Sequence, residues 1–175
     1  MTTDEAGLAG TPDGFERLWT AHRMVYIEQN KTEGDRPCPF CVAPTTDDAT
    51  SLIVHRGAEC YVLLNLYPYN PGHLLVCPYR HVADYTDLTD SETVELAVLT
   101  QKAMSVIRQV SAPAGFNLGM NQGDVAGAGI APHLHQHVVP RWLGDANFLP
   151  IIGRTKPLPQ LLGDTRARVA AAWTE

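Results

Sequence analysis

Three histidines at alternate positions constrain the fold of this chain more than any other feature. His133, His135 and His137 lie in residues 133–139, a segment whose other members are mostly apolar. Alternation of this kind is typical of a β-strand, in which every second side chain points to the same face. The pattern therefore predicts one strand that carries three imidazole rings on one face.

The close spacing of these rings limits their charge. Three neighbouring imidazoles cannot all be protonated, because like charges at short range lower one another's pKa. At least one ring should therefore be neutral near pH 7. A neutral imidazole is a nucleophile or a metal ligand, so we expect chemistry at this strand.

The composition indicates one soluble domain and excludes several kinds of partner. The chain has 175 residues, of which 45% are hydrophobic and 18% charged, as in an ordinary globular domain. Its formal net charge of −6 argues against a nucleic-acid partner, which normally selects a basic face. The first residues are polar, and no apolar run approaches the roughly 20 residues of a membrane span. We therefore expect no membrane partner and a cytoplasmic location.

The first residues of the chain are predicted to be mobile, and the rest to fold. Residues 1–12 are expected to form a mobile arm, and residues 13–175 a single domain. Apolar and aromatic residues from Phe15 to Tyr26 recur at helical spacing, which predicts a first helix.

The middle of the chain predicts a sheet and one long helix. Thr89 and Glu92 form a capping box that opens the long helix, and the apolar spacing from Leu161 to Trp173 predicts a final helix. Strands joined by hairpins and interrupted by one long helix indicate an α+β fold on an antiparallel sheet. The five strand-like segments are residues 51–56, 59–66, 72–79, 115–121 and 132–141.

Cys38 and Cys41 form a C-x-x-C pair, which is either a redox dithiol or half of a metal site. A redox pair usually follows a strand and begins a helix, which lowers the pKa of one thiol. Here Pro44 and a polar stretch follow the pair, and no strand-like run precedes it. These surroundings favour a metal site over a redox pair.

The residues around the three histidines resemble the histidine triad (HIT) family of nucleotidyl hydrolases and transferases. The resemblance extends to residues 65–74, which include a Pro-Gly-His turn, and to a Pro-x-x-His at residues 78–81. Residues 140–148 are similar to the bacterial diadenosine-polyphosphate branch, especially actinobacterial diadenosine tetraphosphate phosphorylases. The family implies a five-stranded antiparallel sheet with one long helix packed on it, helices at both termini, and a homodimer.

The resemblance implies a two-step nucleotidyl transfer. His135 would attack the α-phosphorus of an adenine nucleotide such as diadenosine tetraphosphate, forming a covalent nucleotidyl-histidine that a second nucleophile releases. His137 would donate to the phosphate oxygens or to the bridge of the leaving group. Metal catalysis is not required by this scheme.

The expected nucleotide contacts divide between ribose, phosphates and base. Asn65 is expected on the ribose hydroxyls, Asn121 and Gln122 toward the phosphates, and Phe40 against the base. Backbone N–H groups of the glycine-rich turn at residues 123–129 can form an anion nest. With neighbouring positions, the full predicted set is Phe40, Asn65, Leu66, Asn121, Gln122, Gly127, Gly129 and His137.

The zinc-bearing members of the family imply a metal site as well. Galactose-1-phosphate uridylyltransferases and similar members bind zinc through a C-x-x-C pair, a distant histidine and a histidine two residues before the nucleophile. The corresponding residues here are Cys38, Cys41, His81 and His133. Two thiolates and two imidazoles form a closed tetrahedral set of structural type, so a structural zinc is expected.

Two positions depart from the family pattern. Gln136 stands where an apolar residue is usual, and Gly129 where a serine or glutamine often contacts phosphate. Gly129 offers phosphate only its backbone N–H, so we expect hydrolysis to compete with phosphorolysis. His22, His55 and His73 are expected to be structural, with His73 serving the turn.

Three alternatives stay open at this point. The three alternating histidines could bind a catalytic zinc, although such sites need a further histidine on a later strand, and His137 is the last in the chain. The substrate could be a nucleoside phosphoramidate, that is, an adenylated amine. The protein could also be a non-catalytic nucleotide-binding regulatory module, which the histidine at the nucleophile position disfavours.

Overall fold

A computed structural model describes residues 37–145 and 160–173 of the chain. The predicted arm at residues 1–12, the predicted first helix and residues 146–148 lie outside the described residues. The helices are α1 (Pro39–Val42), α2 (Asp90–Ser111) and α3 (Leu162–Ala171), and the strands are β1 (Ile53–Arg56), β2 (Cys60–Leu64), β3 (Leu74–Pro78), β4 (Gly115–Gly119) and β5 (Gln136–Arg141).

The five strands form one antiparallel sheet in the order β1-β2-β3-β5-β4. The prediction of an α+β fold with a five-stranded antiparallel sheet is therefore confirmed. In the register of the sheet, His137 lies opposite Leu75 of β3 on one side and opposite Gly119 of β4 on the other. This pairing fixes the position of the last histidine of the alternating segment.

The histidine strand is shorter than predicted. It begins at Gln136 and not at residue 132, so His133 and His135 precede the ladder. The backbone before β5 forms hydrogen bonds outside the sheet: the N–H of Leu134 donates to the carbonyl of Val82 at 2.7 Å. The prediction that all three histidines share one regular strand is therefore wrong, and the ring of His133 takes a different environment.

Each face of the sheet has its own core. Along β3, Leu74 and Val76 pack toward α2 and α3, whereas Leu75 and Cys77 pack with Phe40 on the opposite face. This is the alternation expected of a strand buried on both sides. The C-x-x-C helix α1 is therefore packed on the face of the sheet that does not carry the long helix.

The long helix begins as predicted. The hydroxyl of Thr89 accepts from the N–H of Glu92, and the carboxylate of Glu92 accepts from the N–H of Thr89. The face of the helix that packs on the sheet is apolar, and Leu96, Leu99 and Ala103 on it are buried. No helix in the described ranges has the length and apolar character needed to cross a membrane.

The carboxylate of Glu92 also holds Arg80, which follows β3. Arg80 donates to it from Nε at 2.9 Å and from Nη2 at 2.6 Å. These bonds to Arg80 are the main reason that the pKa of Glu92 falls to about 2. Glu92 itself is only 3% exposed, so the pair joins the start of the long helix to the end of a central strand.

We expect Glu92→Gln to lower the free energy of unfolding at pH 7 by about 1 kcal/mol, because Arg80 is half exposed and solvent screens the pair. Since folding lowers the pKa of Glu92, its ionic contribution is present above its unfolded pKa and disappears as pH falls toward 2. Urea unfolding at pH 7 and near pH 2.5 should show the difference shrinking at the lower pH. Glu59→Gln, on an exposed side chain, is the control, and a pH-independent difference for Glu92→Gln would contradict the assignment.

Candidate active site and metal-binding group

His133 is fully buried and its two ring nitrogens have different partners. Nε2 lies 3.0 Å from the carbonyl oxygen of Pro78. Nδ1 lies 3.4 Å from Sγ of Cys38 and 3.5 Å from Sγ of Cys41. A carbonyl can only accept, so Nε2 carries the proton and the lone pair of Nδ1 faces the two sulfurs.

The four residues predicted as metal ligands converge. Nδ1 of His81 lies 3.1 Å from Sγ of Cys41, and one ligand atom from each of Cys38, Cys41, His81 and His133 lies within 4.8 Å of all the others. Helix α1 places both cysteines, since Cys38 is its N-cap and Pro39 occupies its first turn. The arrangement is a group that can hold a metal ion, and a simple redox pair would not require the two imidazoles.

His135 is 6% exposed and its tautomer is set by the backbone. Its Nδ1 lies 2.8 Å from the carbonyl oxygen of His133, so Nδ1–H donates and Nε2 keeps a lone pair. The ring of Phe40 lies against it with centroids 4.9 Å apart. His135 therefore presents an unprotonated nitrogen from a ring held on two sides.

His137 is oriented by His73, which lies on the same face because of the β3–β5 register. The N–H of Tyr69 donates to Nδ1 of His73 at 3.0 Å, so the proton of His73 is on Nε2. Nε2 of His73 lies 2.9 Å from Nδ1 of His137 and donates to it. His137 must then carry its proton on Nε2, a buried atom with no hydrogen-bond partner among the described residues.

Burial keeps these rings neutral. It is the main cause of the lowered pKa of His133 and of His135. Burial also lowers the pKa of His137 to about 4, with a smaller contribution from the charge of a protonated His135. The rings of His135 and His137 lie edge to face, with centroids 4.9 Å apart. The site therefore pairs one bare nitrogen with one unpaired N–H donor.

The predicted base and ribose residues differ in their relation to this pair. Phe40 is only 7% exposed and contacts the rings of His133 and His135. Asn65 follows β2, with its Oδ1 accepting from the N–H of Tyr67 at 3.0 Å. Leu66, beside it, is 58% exposed.

The predicted phosphate residues are more spread out. Asn121 and His137 line a cavity of about 930 Å³. Gln122 instead accepts from the N–H of Tyr85 through Oε1 at 2.6 Å. Gly127 adopts a φ of +77° in the glycine-rich turn, and Gly129 lies two residues further along it, half-buried.

Sequence reasoning finds only one of the two roles of His73. The ring does serve the turn, where it accepts from the N–H of Tyr69, but it is also fully buried and bonded to His137. The signal was present only in the strand pairing: Leu75 lies opposite His137, so the residue two positions before Leu75 shares its face. That pairing joins residues about 60 positions apart and cannot be derived from local patterns.

The fold and the site together define an α+β protein with buried neutral histidines beside a Cys₂His₂ group. A family model described as HIT domain matches residues 46–142. The chain is 52% identical over 170 residues, 94% of its length, to an AP-4-A phosphorylase from Mycobacterium tuberculosis, of which it covers 87%. The chain therefore belongs to the HIT family.

Other comparisons agree with the fold. A bis(5′-nucleosyl)-tetraphosphatase from Schizosaccharomyces pombe is 37% identical over 95 residues, which cover 54% of this chain and 52% of that protein. A hypothetical histidine triad nucleotide-binding protein from Sulfolobus tokodaii has a TM-score of 0.63 at 24% identity, covering 78% of this chain and 91% of that one. A zinc-bound histidine triad protein from Mycobacterium smegmatis has a TM-score of 0.58 at 24% identity, covering 86% and 94%.

We expect His137 to titrate near pH 4 in the folded protein. An unfolded histidine titrates near 6.5, and because folding lowers this pKa, the associated stability is present above pH 6.5 and declines as pH falls toward 4. NMR titration of ¹⁵N-histidine-labelled protein would measure the midpoint, with the signal assigned by its loss in His137→Gln. A midpoint at or above 6.5 would show that the ring is solvated.

Proposed function

We propose that this protein is a nucleotidyl-transferring enzyme that cleaves diadenosine tetraphosphate, or a similar adenine dinucleotide, at an α-phosphate. The observation that carries the proposal is the pairing of His135, whose Nε2 is bare because Nδ1 donates to a carbonyl, with the unpaired N–H of His137. The name of the 52% identical relative, AP-4-A phosphorylase, supports the same substrate class.

In the first step, the lone pair of Nε2 of His135 forms a bond to the α-phosphorus. The bond from that phosphorus to the bridging oxygen breaks, and the oxygen leaves with the electron pair as part of the polyphosphate. Nε2–H of His137 donates a hydrogen bond to a phosphoryl or bridging oxygen, where charge develops. The product is a covalent nucleotidyl-histidine.

In the second step, water or inorganic phosphate attacks the same phosphorus and displaces the imidazole. Water yields AMP, whereas phosphate yields ADP. The relative's name favours phosphate, while the lack of a side-chain donor at Gly129 favours water. We propose that both acceptors are used, and product analysis measures their ratio.

The surrounding residues are proposed to bind the nucleotide. Asn65 and Leu66 would contact the ribose, and Asn121 and Gln122 the phosphates, with N–H groups from Gly127 and Gly129 completing an anion nest. For Phe40, low exposure and contact with His135 favour a supporting role over a broad base contact. The implied homodimer and the cytoplasmic location stay predictions.

The metal group is proposed to hold a structural zinc. Zn–S bonds of about 2.3 Å and Zn–N bonds of about 2.0–2.1 Å at tetrahedral angles place ligand atoms roughly 3.3–3.8 Å apart. The S···N distances of 3.4 and 3.5 Å from His133 fit this range, and the distance of 3.1 Å from His81 to Cys41 is slightly shorter. The bond from His133 to the carbonyl of Pro78 is the outer-shell contact that such ligands normally make. The zinc would fix the C-x-x-C turn against the histidine segment and take no part in the transfer.

The second candidate function is hydrolysis of nucleoside phosphoramidates, which present the same α-phosphate to His135. A regulatory module without turnover is less well supported, because neither His135 nor its neutral environment is needed for binding alone. Both alternatives give a different result in the assay that follows.

The purified protein should convert diadenosine tetraphosphate to ATP and AMP without phosphate, and partly to ATP and ADP in millimolar phosphate. His135→Ala should abolish turnover while AMP affinity stays within about tenfold, because the other contacts are retained. His55→Ala, on β1, is the control. Near-normal kcat in His135→Ala would rule out the covalent mechanism, and cleavage of an adenosine phosphoramidate alone would favour the second candidate.

One zinc per chain is expected by elemental analysis of protein purified without chelators. Cys38→Ser should lose the metal and lower the melting temperature, because metal binding contributes to folding. Cys77→Ser is a matched control, since this buried free cysteine lies outside the group and its loss should lower stability without loss of zinc. Wild-type protein without metal would favour the redox interpretation.

A further inference from the structure

Tyr69 contacts the His73–His137 pair in a way that the mechanism above does not use. Its ring lies nearly parallel to that of His137, with centroids 5.6 Å apart and planes 16° apart. It also lies 4.7 Å from the ring of His73, tilted by 44°. One side chain therefore packs against both members of the pair.

The backbone of Tyr69 acts on the same pair. Its N–H donates to Nδ1 of His73 at 3.0 Å, and that bond determines which nitrogen of His137 carries the proton. The ring and the N–H thus constrain His137 in complementary ways, since the N–H fixes the tautomer and the ring fixes the plane of the imidazole. An offset parallel arrangement of aromatic rings is favourable and resists tilting.

The loop that carries Tyr69 is anchored at its next residue. Nδ2 of Asn70 donates to the carbonyl of Pro140 at 3.0 Å and to the carboxylate of Asp145 at 2.7 Å. Pro140 belongs to β5, the strand that begins just before His137. The loop is therefore tied to the strand of the histidine that it covers, and the ring of Tyr69 has a defined place.

The side chain of Tyr69 covers one face of the His137 ring, and the exposed fractions of the two residues differ accordingly. Tyr69 is 45% exposed whereas His137 is 8% exposed, and both line the same cavity. Replacing the tyrosine by a smaller side chain would leave one face of the imidazole open to that cavity. The imidazole would then gain both water and rotational freedom.

We propose that Tyr69 is a positioning residue for His137, holding its imidazole so that Nε2–H points at the transferring phosphoryl group. This rests on the proposed nucleotidyl transfer. The contacts that carry the proposal are made by the ring and the backbone N–H of Tyr69, so the ring is the part to be tested by substitution. Because His137 donates to an oxygen of the reacting phosphoryl group, loss of the Tyr69 ring lowers the rate of transfer more than it weakens substrate binding.

Three variants test the proposal. Tyr69→Leu removes the aromatic face, and Tyr69→Phe keeps it while removing the hydroxyl. Tyr67→Leu makes the same change at an exposed tyrosine of the same loop, 69% exposed. Each is assayed for kcat and KM with diadenosine tetraphosphate, and each is examined by ¹⁵N NMR of its histidine rings.

In Tyr69→Leu we expect kcat to fall about tenfold or more with KM changed less than about threefold, the pattern of a misplaced group. The ¹⁵N signals of the His137 ring should change with it, showing a mixture of tautomers or altered exchange with water. Tyr69→Phe should restore both the rate and the signals. Tyr67→Leu should match wild type.

Several outcomes would overturn the proposal. A rise in KM alone in Tyr69→Leu would mean that the ring contacts substrate, and a defect in Tyr69→Phe equal to that of Tyr69→Leu would assign the effect to the hydroxyl. Unchanged His137 signals in a slow Tyr69→Leu variant would point to general loosening. If wild-type protein did not cleave the dinucleotide, the proposed function would fail, while the NMR comparison would still decide whether Tyr69 holds His137.

Discussion

The carbonyl oxygen of Pro78 accepts a hydrogen bond from Nε2 of His133 at 3.0 Å, and the carbonyl of His133 accepts one from Nδ1 of His135 at 2.8 Å. A neutral imidazole in water exchanges its proton between two nitrogens, and these two bonds remove that freedom. His133 is left with a lone pair toward the cysteines, and His135 with a lone pair on Nε2. Two backbone carbonyls, one from β3 and one from the histidine segment, therefore assign His133 and His135 to two different chemistries.

The C-x-x-C turn is part of the packing that holds the nucleophile. Phe40 lies between the two cysteines, and its ring contacts both His133 and His135. Its carbonyl accepts from the buried hydroxyl of Tyr61 at 2.6 Å, which fastens the turn to β2. Because so few voids exist in such a core, a displacement of the turn would move the ring of His135. A bound metal that takes no part in the chemistry would therefore still affect turnover, because it would hold the turn against the ring of His135.

Local sequence signals predicted the framework of the fold. The capping box at Thr89 and Glu92 located the start of the long helix to the residue, because its bonds are made within four positions of the chain. Hairpin neighbours such as β2 and β3 were also found, since only a short loop separates them. The four proposed metal ligands came from the family resemblance, and the structure brings them together.

Long-range pairing was beyond those signals. The start of β5 at Gln136 depends on the bond from Leu134 to Val82, and the place of His73 depends on the register of β3 against β5. Both relations join segments that are distant in the chain, so apolar spacing carries no information about them. The contact of Tyr69 with His137 follows from the same register and was invisible for the same reason.

The pairing of charged side chains in the cavity determines how it could bind a polyanionic substrate. Arg141 lines the cavity beside His137, but Nε and Nη2 of its guanidinium bond both carboxylate oxygens of Asp145, and this pairing holds the pKa of Asp145 well below its usual range. The positive charge of Arg141 is therefore largely neutralised by Asp145 before any phosphate binds. In the proposed transfer, the charge that develops would be met by the oriented Nε2–H of His137, which needs no rearrangement. In the glycine-rich turn, Gly123 and Gly127 have φ of +75° and +77°, and the N–H of Ala126 between them already donates to the carbonyl of Gly123 at 3.2 Å. At least one N–H of the turn therefore serves the shape of the turn itself and is not available to a phosphate.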